Sequence, residues 1–365
     1  MIVVIADDFT GAAELGGIGL RYRLTTEIST TVNAATGADL LVIAADTRSM
    51  GQAAAMEEMK KITRQIKALQ PEWIFKKVDS VLRGHVVPEI GVQLDVLQWP
   101  LALVVPANPA LGRTITDGRY FFNGLPVHQS SFAGDPEFPI GSSDIRDMVK
   151  APVAVERVTD ALPAAGIVVG EVRDTGDLLA WAGRIGPGML LAGASGFFTA
   201  ILDSKGASGR FSAVPHAAGG KTLLVSGTTF ENSRTAIRRV LESGGPVSYM
   251  PDGSSDRWVE EIILLLRDRG KAIVAVDTGG ARSALELRTV TAKVVQQVLQ
   301  QVKIGELIIE GGSTAYAILQ QAGLHTFFPE EELAPGVIRM RAPEAPGLYI
   351  TVKPGSYHWP ESIKL

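Results

Sequence analysis

The sequence predicts an α/β protein of two domains, each with a mostly parallel sheet flanked by helices. Two observations carry that expectation. Short apolar runs end abruptly in polar residues and are followed by amphipathic stretches, about four times before residue 110 and again from residue 222 onward. Between the halves, Lys205-Gly206-Ala207-Ser208-Gly209, with Pro215 and Gly219-Gly220 beyond it, reads as a linker. We therefore expect domains over 1–212 and 221–365. The length of 365 residues suits two cores better than one.

The first strand, Ile2-Val3-Val4-Ile5, reads as buried on both faces and stops at Asp7-Asp8. Thr10-Gly11 allows a turn into a helix whose first N–H groups face the same spot as the carboxylates. One of the two acids is expected to cap that helix. Leu40 to Ala45 is a second run ending at Asp46-Thr47-Arg48-Ser49. Met56, Met59, Ile62, Ile66 and Leu69 then recur at helical spacing, with Glu57 and Lys61 paired on the wet face. Trp73-Ile74-Phe75 leads into Lys76-Lys77-Val78-Asp79-Ser80 and Arg83-Gly84-His85, and Leu101 to Val105 ends at Pro106-Ala107-Asn108-Pro109. Gly112 to Ile140 has neither helical nor strand period, so it is expected to be a long functional loop. Gly166 to Val172 and Met189 to Ala192 complete the first sheet.

In the second half, Thr222 to Val225 ends at Ser226-Gly227-Thr228-Thr229, Ala272 to Val276 at Asp277-Thr278-Gly279-Gly280, and Leu307 to Glu310 at Gly311-Gly312-Ser313-Thr314. The helix between Glu231 and Leu241 closes at Gly244-Gly245. Val290, Val294, Val298 and Val302 mark one face of a longer helix, and a last strand pair, Val337 to Met340 and Leu348 to Val352, runs into Lys353-Pro354-Gly355-Ser356. Strands of the first half end in charges, whereas those of the second end in glycine and hydroxyl residues, which expose backbone N–H groups to phosphate. That contrast predicts a small polar substrate in one domain and a phosphate site in the other. The Walker A formula fails at Gly220-Lys221-Thr222, because Pro215 stands at its first glycine.

Composition narrows the function. With 46% hydrophobic residues, 20% charged and a net charge of -4, no nucleic-acid or membrane-surface footprint is expected. The absence of cysteine removes thiolate nucleophiles and Cys-based metal sites and suits a cytoplasmic protein. The first apolar run is too short for a signal peptide or membrane span. The five histidines lack metal-ligand spacing. Asp8, Arg48, Lys77, Asp79, Ser80 and Arg83 all fall at strand ends that a parallel sheet gathers, a mixture suited to a substrate with a carboxylate and hydroxyls.

Ala6-Asp7-Asp8-Phe9-Thr10-Gly11-Ala12, Lys77-Val78-Asp79-Ser80-Val81-Leu82-Arg83-Gly84, Pro106-Ala107-Asn108-Pro109 with Gly112-Arg113, and Gly311-Gly312-Ser313-Thr314-Ala315 together resemble the four-carbon acid sugar kinase family, in order and over nearly the whole chain. The resemblance implies a tetronate-type acid sugar bound by the N-terminal domain, ATP bound by the C-terminal one, and phosphorylation of the sugar; we expect the site in the cleft between the domains. It places substrate on Asp8, Arg48, Lys77, Val78, Asp79 and Ser80, and ATP on Ser226, Gly311, Gly312, Ser313, Thr314 and Gly355; we add Asp7 and Arg83 to the substrate set and Asp277 to the nucleotide set, and expect Asp8, or failing that Asp79, to act as the base. Magnesium follows from the reaction, with no metal ligand assigned. The chain departs from the family at Ser313, where an acidic residue is frequent; Glu310 or Asp277 is expected to supply the missing carboxylate. The same departure leaves a second reading, a ligand-binding regulator of weak catalysis. Acid sugar and ATP are the expected partners, a homodimer is the assembly considered, and neither nucleic acid nor membrane is expected.

Overall fold

The computed structural model describes residues 1–135, 137–206, 219–228, 230–252, 255–276 and 282–363. They fall into two compact units, one drawn from Met1–Asp7, Arg21–Thr26 and Thr30–Phe211, the other from Asp8–Leu20, Glu27–Ser29 and Ser212–Leu365. The linker expected after Gly206 and the turn Asp277-Thr278-Gly279-Gly280 lie outside the described residues.

The chain opens with β1 (Ile2–Ala6), every residue of which is buried, then α1 (Phe9–Arg21), β2 (Thr26–Ser29), β3 (Leu40–Ala44), α2 (Gln52–Ala68), β4 (Trp73–Lys77), α3 (Val86–Leu97) and β5 (Leu101–Val105). The amphipathic reading of α2 holds, since Ala55, Met59, Ile62 and Ile66 face inward. Its wet-face ion pair is formed by Lys61 with Glu58 at 3.0 Å, one residue from the expected Glu57. The stretch expected to be a loop instead folds into a three-stranded antiparallel sheet, β6 (Arg113–Thr116), β7 (Arg119–Phe122) and β8 (Leu125–Pro126), followed by two 3₁₀ turns. These strands are too short to show a period in sequence. After α4 (Ile145–Val149), the unit finishes with β9 (Ala154–Glu156), β10 (Gly166–Gly170), α5 (Thr175–Ala182), β11 (Met189–Gly193) and α6 (Ser195–Ser204).

Within this unit the strand order β3-β1-β4-β11-β5-β10-β9 is parallel throughout. The chain leaves β1 toward the β3 side and leaves β4 toward β5, so the carboxyl ends of these neighbours form a switch point, where open α/β sheets bind ligands. Asp7 follows β1, and Lys77 ends β4.

The second unit runs β12 (Lys221–Ser226), α7 (Glu231–Glu242), β13 (Val247–Tyr249), α8 (Ser255–Arg269), β14 (Lys271–Ala275), α9 (Ala284–Gln301), β15 (Ile304–Glu310), α10 (Gly312–Gln321), β16 (Thr326–Ala334), β17 (Val337–Arg341) and β18 (Tyr349–Lys353). Strands β13-β14-β12-β15-β18 are parallel and β17 and β16 extend them antiparallel. Ser283 and Glu286 close a capping box on α9. The connections from β12 and β15 diverge, so a second switch point lies between Ser226 and Gly311.

Packing groups α1 with the C-terminal half and apart from the rest of residues 1–212. A side chain at Gly16 would meet Ile28 and Pro329, one at Gly17 would meet Ile338, and the Tyr357 hydroxyl donates to Glu14 at 2.8 Å. Phe9 and Phe327 stack edge to face with centroids 5.1 Å apart. Helix α1 is thus built into the unit that the C-terminal half forms.

Candidate active site

At the first switch point four charged side chains interlock. Arg48 donates from Nε and Nη2 to both oxygens of Asp7, at 2.9 and 2.8 Å, and its Nη1 lies 3.6 Å from Asp79. Arg83 forms a second fork onto Asp79, at 3.0 and 2.7 Å, and reaches Asp135 at 2.7 Å. Such bidentate pairs fix orientation as well as charge. The stem of Arg48 passes over Gly84, whose φ of +89° and missing side chain leave that room. Burial of Asp79 opposes its ionisation, but the Arg83 and Arg48 guanidiniums outweigh burial and hold its carboxyl well below the usual range. Lys77 is buried and donates to the Val78 carbonyl at 3.0 Å, while the Val78 N–H donates to Gly193.

The antiparallel excursion supplies a wall to this cluster. The buried Tyr120 hydroxyl donates to the Ser80 carbonyl, and its ionisation is pushed upward by burial. The guanidinium carbons of Arg83 and Arg113 lie 5.3 and 5.7 Å from the centroid of Phe132. Arg113, Tyr120, Phe132 and Asp135 were not among the candidates from sequence. The only signal was Gly112-Arg113 in the motif; the others come from a stretch without period. His85 binds the Met50 carbonyl at 2.7 Å, which accounts for it structurally.

Asp8 belongs to the other unit. Its Oδ1 accepts the Gly11 N–H at 2.9 Å and its Oδ2 the Thr10 hydroxyl at 2.8 Å, so it is the capping residue of the pair. It also abuts the glycine turn that opens α10. A Cβ built on Gly312 would collide with Asp8 Oδ2 and lie 3.0 Å from Thr10 Oγ1. Gly311 holds φ at +103°, and the first N–H groups of α10 follow it. The Thr314 hydroxyl packs against Gly227, and Gly355 against Thr228 and Phe230. Beside Ser226 a cleft of about 250 Å³ opens, lined among others by Thr228, Ile237, Arg238, Tyr249 and Val276.

The candidates therefore fall into two sets. Asp7, Arg48, Lys77, Val78, Asp79, Ser80 and Arg83 share one switch point, and Ser226, Gly311, Gly312, Thr314 and Gly355 share the other, where Asp8 joins them. Ser313 lies in the first turn of α10, and Asp277 is outside the described residues. Glu310 differs from expectation. It is fully buried and engaged by Ser226, Ser233 and Lys353, so its carboxylate does not stand in for an acid at position 313. Among the described residues no group of three or more His, Cys, Asp or Glu side chains is arranged to hold a metal ion. None of their helices is long and apolar enough to cross a membrane.

Comparison with known proteins matches residues 2–201 to the Sugar-binding N-terminal domain family and residues 262–357 to the Nucleotide-binding C-terminal domain family. The chain is similar to a D-threonate kinase of Salmonella typhimurium, 26% identical over 92% of this chain and 89% of that one. It is also similar to a 3-oxo-tetronate kinase of Methylobacterium radiotolerans, 24% identical over 97% and 95%. Among solved structures, a Haemophilus influenzae protein shares the fold with a TM-score of 0.68 at 21% identity, covering 98% of this chain and 97% of that one.

Proposed function

The chain belongs to the four-carbon acid sugar kinase family, and from that premise we propose that it transfers the γ-phosphoryl group of ATP to a hydroxyl of a tetronate-type acid sugar. The observation that supports this reading most directly is Asp8 against Gly312. It sets a hydrogen-bonded carboxylate beside a glycine turn and a helix N-terminus, the pairing of base and phosphate cradle that such a transfer needs.

In this reading the substrate carboxylate meets Arg48 and Lys77, while Asp79 and Arg83 hold the surrounding frame. The substrate hydroxyl attacks the γ-phosphorus, its proton passes to Asp8, and the bond to the β-bridging oxygen breaks to release ADP. The N–H groups at Gly311 to Thr314 stabilise the charge on the phosphoryl oxygens, and Arg238 and Tyr249 flank the cleft for the rest of the nucleotide. Magnesium enters with ATP as part of the substrate, which suits an ion that keeps most of its water and phosphate ligands. Relatives named as kinases favour turnover over the regulator reading.

The test is ADP release, followed by a coupled assay across a panel of four-carbon acid sugars. ADP production that requires one of them supports the proposal. Melting shifts with ligand but no sugar-dependent ADP from any of them would overturn it.

A further inference from the structure

Below the glycine turns of the second unit lies a buried ion pair that the chemistry above does not use. Glu310 ends β15 and Lys353 ends β18, both fully buried, with Nζ 2.6 Å from Oε1. Glu310 also accepts the hydroxyls of Ser226 at 2.7 Å and Ser233 at 2.5 Å. Lys353 donates to the carbonyls of Pro354 at 2.9 Å and Tyr357 at 2.5 Å, with its ammonium 4.8 Å from the Trp359 ring centroid. The backbone repeats the pattern, since Gly227 N–H donates to the Glu310 carbonyl and Gly311 N–H to that of Lys353.

These partners belong to separate strand ends. Ser226 and Gly227 leave β12, Ser233 lies on α7, Gly311 leads into α10, and Pro354 to Tyr357 follow β18. A buried pair is a weak source of stability, because well-packed apolar residues of similar volume do as well or better. A hydrogen-bonded network of this kind does specify one arrangement of the groups it joins. Ser226 illustrates the division of labour: its hydroxyl is spent on Glu310, which leaves its role toward a nucleotide to the turn it begins.

Resting on the reading that these turns take ATP, we propose that Glu310 and Lys353 are positioning residues of the nucleotide site, a buried pair that sets the turns 226–228, 311–314 and 354–357 as one surface without touching the nucleotide. Small misplacement of binding groups is costly, on the order of 100-fold for about 1 Å. Loss of one partner strands the other charge, whereas loss of both removes the conflict.

The experiment uses the full chain and the variants Lys353→Met, Glu310→Gln and the double substitution. Each single variant is expected to raise the KM for ATP by about tenfold or more, leave the KM for acid sugar within about twofold, and speed amide exchange in all three turns together. The double variant is expected to recover part of the ATP affinity. Glu310→Gln keeps the shape and acceptor of the carboxylate, so it carries the test if Lys353→Met does not fold. An unchanged KM for ATP in a folded single variant, or faster exchange confined to the strand end that carries the substitution, would overturn the proposal. If the wild-type chain shows no sugar-dependent ADP release, the kinase reading fails. The exchange pattern across the three turns still decides whether the pair couples them.

Discussion

Asp8 is a cap in the structure and the base in the proposed reaction, and a single substitution separates the two roles. As a cap it needs only an acceptor for the Gly11 N–H, which asparagine retains; as a base it needs a carboxylate. Asp8→Asn is therefore expected to lower kcat by roughly 10²- to 10⁴-fold with an almost unchanged melting temperature. A near-normal kcat would remove Asp8 from the role. Arg48 is a different case, because its guanidinium already neutralises Asp7 and faces Asp79. Arg48→Ala is expected to weaken acid-sugar use by roughly ten- to a hundred-fold, the equivalent of one charge-assisted hydrogen bond of about 1.5–3 kcal/mol, and to spare the KM for ATP. Equal losses toward both substrates would count against the proposed division. Asp79 sets a pH dependence whose sign is fixed. Burial works against its ionised form, Arg83 and Arg48 outweigh burial, and the folded-state pKa drops below the ordinary 3.8. Its contribution is complete above 3.8 and is lost as pH falls below that value, where the unfolded chain binds the proton first. Asp79→Asn should flatten the fall of melting temperature below pH 4 relative to wild type, and an unchanged slope would refute the assignment. The charged residues at strand ends were legible in the sequence because an apolar run that stops at a carboxylate or a cation is conspicuous. Their partners were not: Asp7 meets Arg48 across 41 positions and Arg83 meets Asp135 across 52, distances over which spacing carries no information.

Elements with a strong period were readable, and those whose residues serve a neighbour were not. Helix α2 buries the positions its spacing selects. Strand β16 escaped notice because Pro329 and the run Glu330-Glu331-Glu332 interrupt any alternation, and its place comes from pairing with β17 and with Ile28 and Ser29 of β2. Arg339 of β17 accounts for two otherwise puzzling buried acids, with contacts of 2.9 Å to Glu306 and 2.8 Å to Glu331. At the α10 turn element geometry bears on the proposed nucleotide site. Gly312 has no room for a methyl group because Asp8 and Thr10 occupy it from α1, so Gly312→Ala must displace either the turn or the carboxylate. Its expected consequence is a loss of kcat/KM for ATP of about tenfold or more, following from displacement of the proposed base, with a smaller effect on melting. Full activity in Gly312→Ala would show that the close approach of Asp8 to this turn is incidental.

At the scale of the molecule, the boundary in sequence and the boundary in packing differ. Composition marked a break near residue 212, yet Asp8–Leu20 packs with the C-terminal half through Gly16, Gly17, Glu14 and Phe9. No local pattern announces this, because the glycines that permit it resemble ordinary helix glycines until Ile28, Pro329 and Ile338 are seen against them. The consequence is that two consecutive carboxylates answer to different units: Asp7 to Arg48, and Asp8 to the turn at Gly312. Ligands should reveal the same partition. A nonhydrolysable ATP analogue is expected to slow amide exchange at 226–228, 311–314 and 354–357 and also along 9–15, far away in sequence, because α1 packs within the unit proposed to take the nucleotide. Acid sugar alone is expected to protect 46–50 and 77–83 and to leave the 311–314 turn nearly unchanged. Protection of 9–15 by acid sugar but not by the analogue would place α1, and the proposed base Asp8 that precedes it, functionally with the first unit.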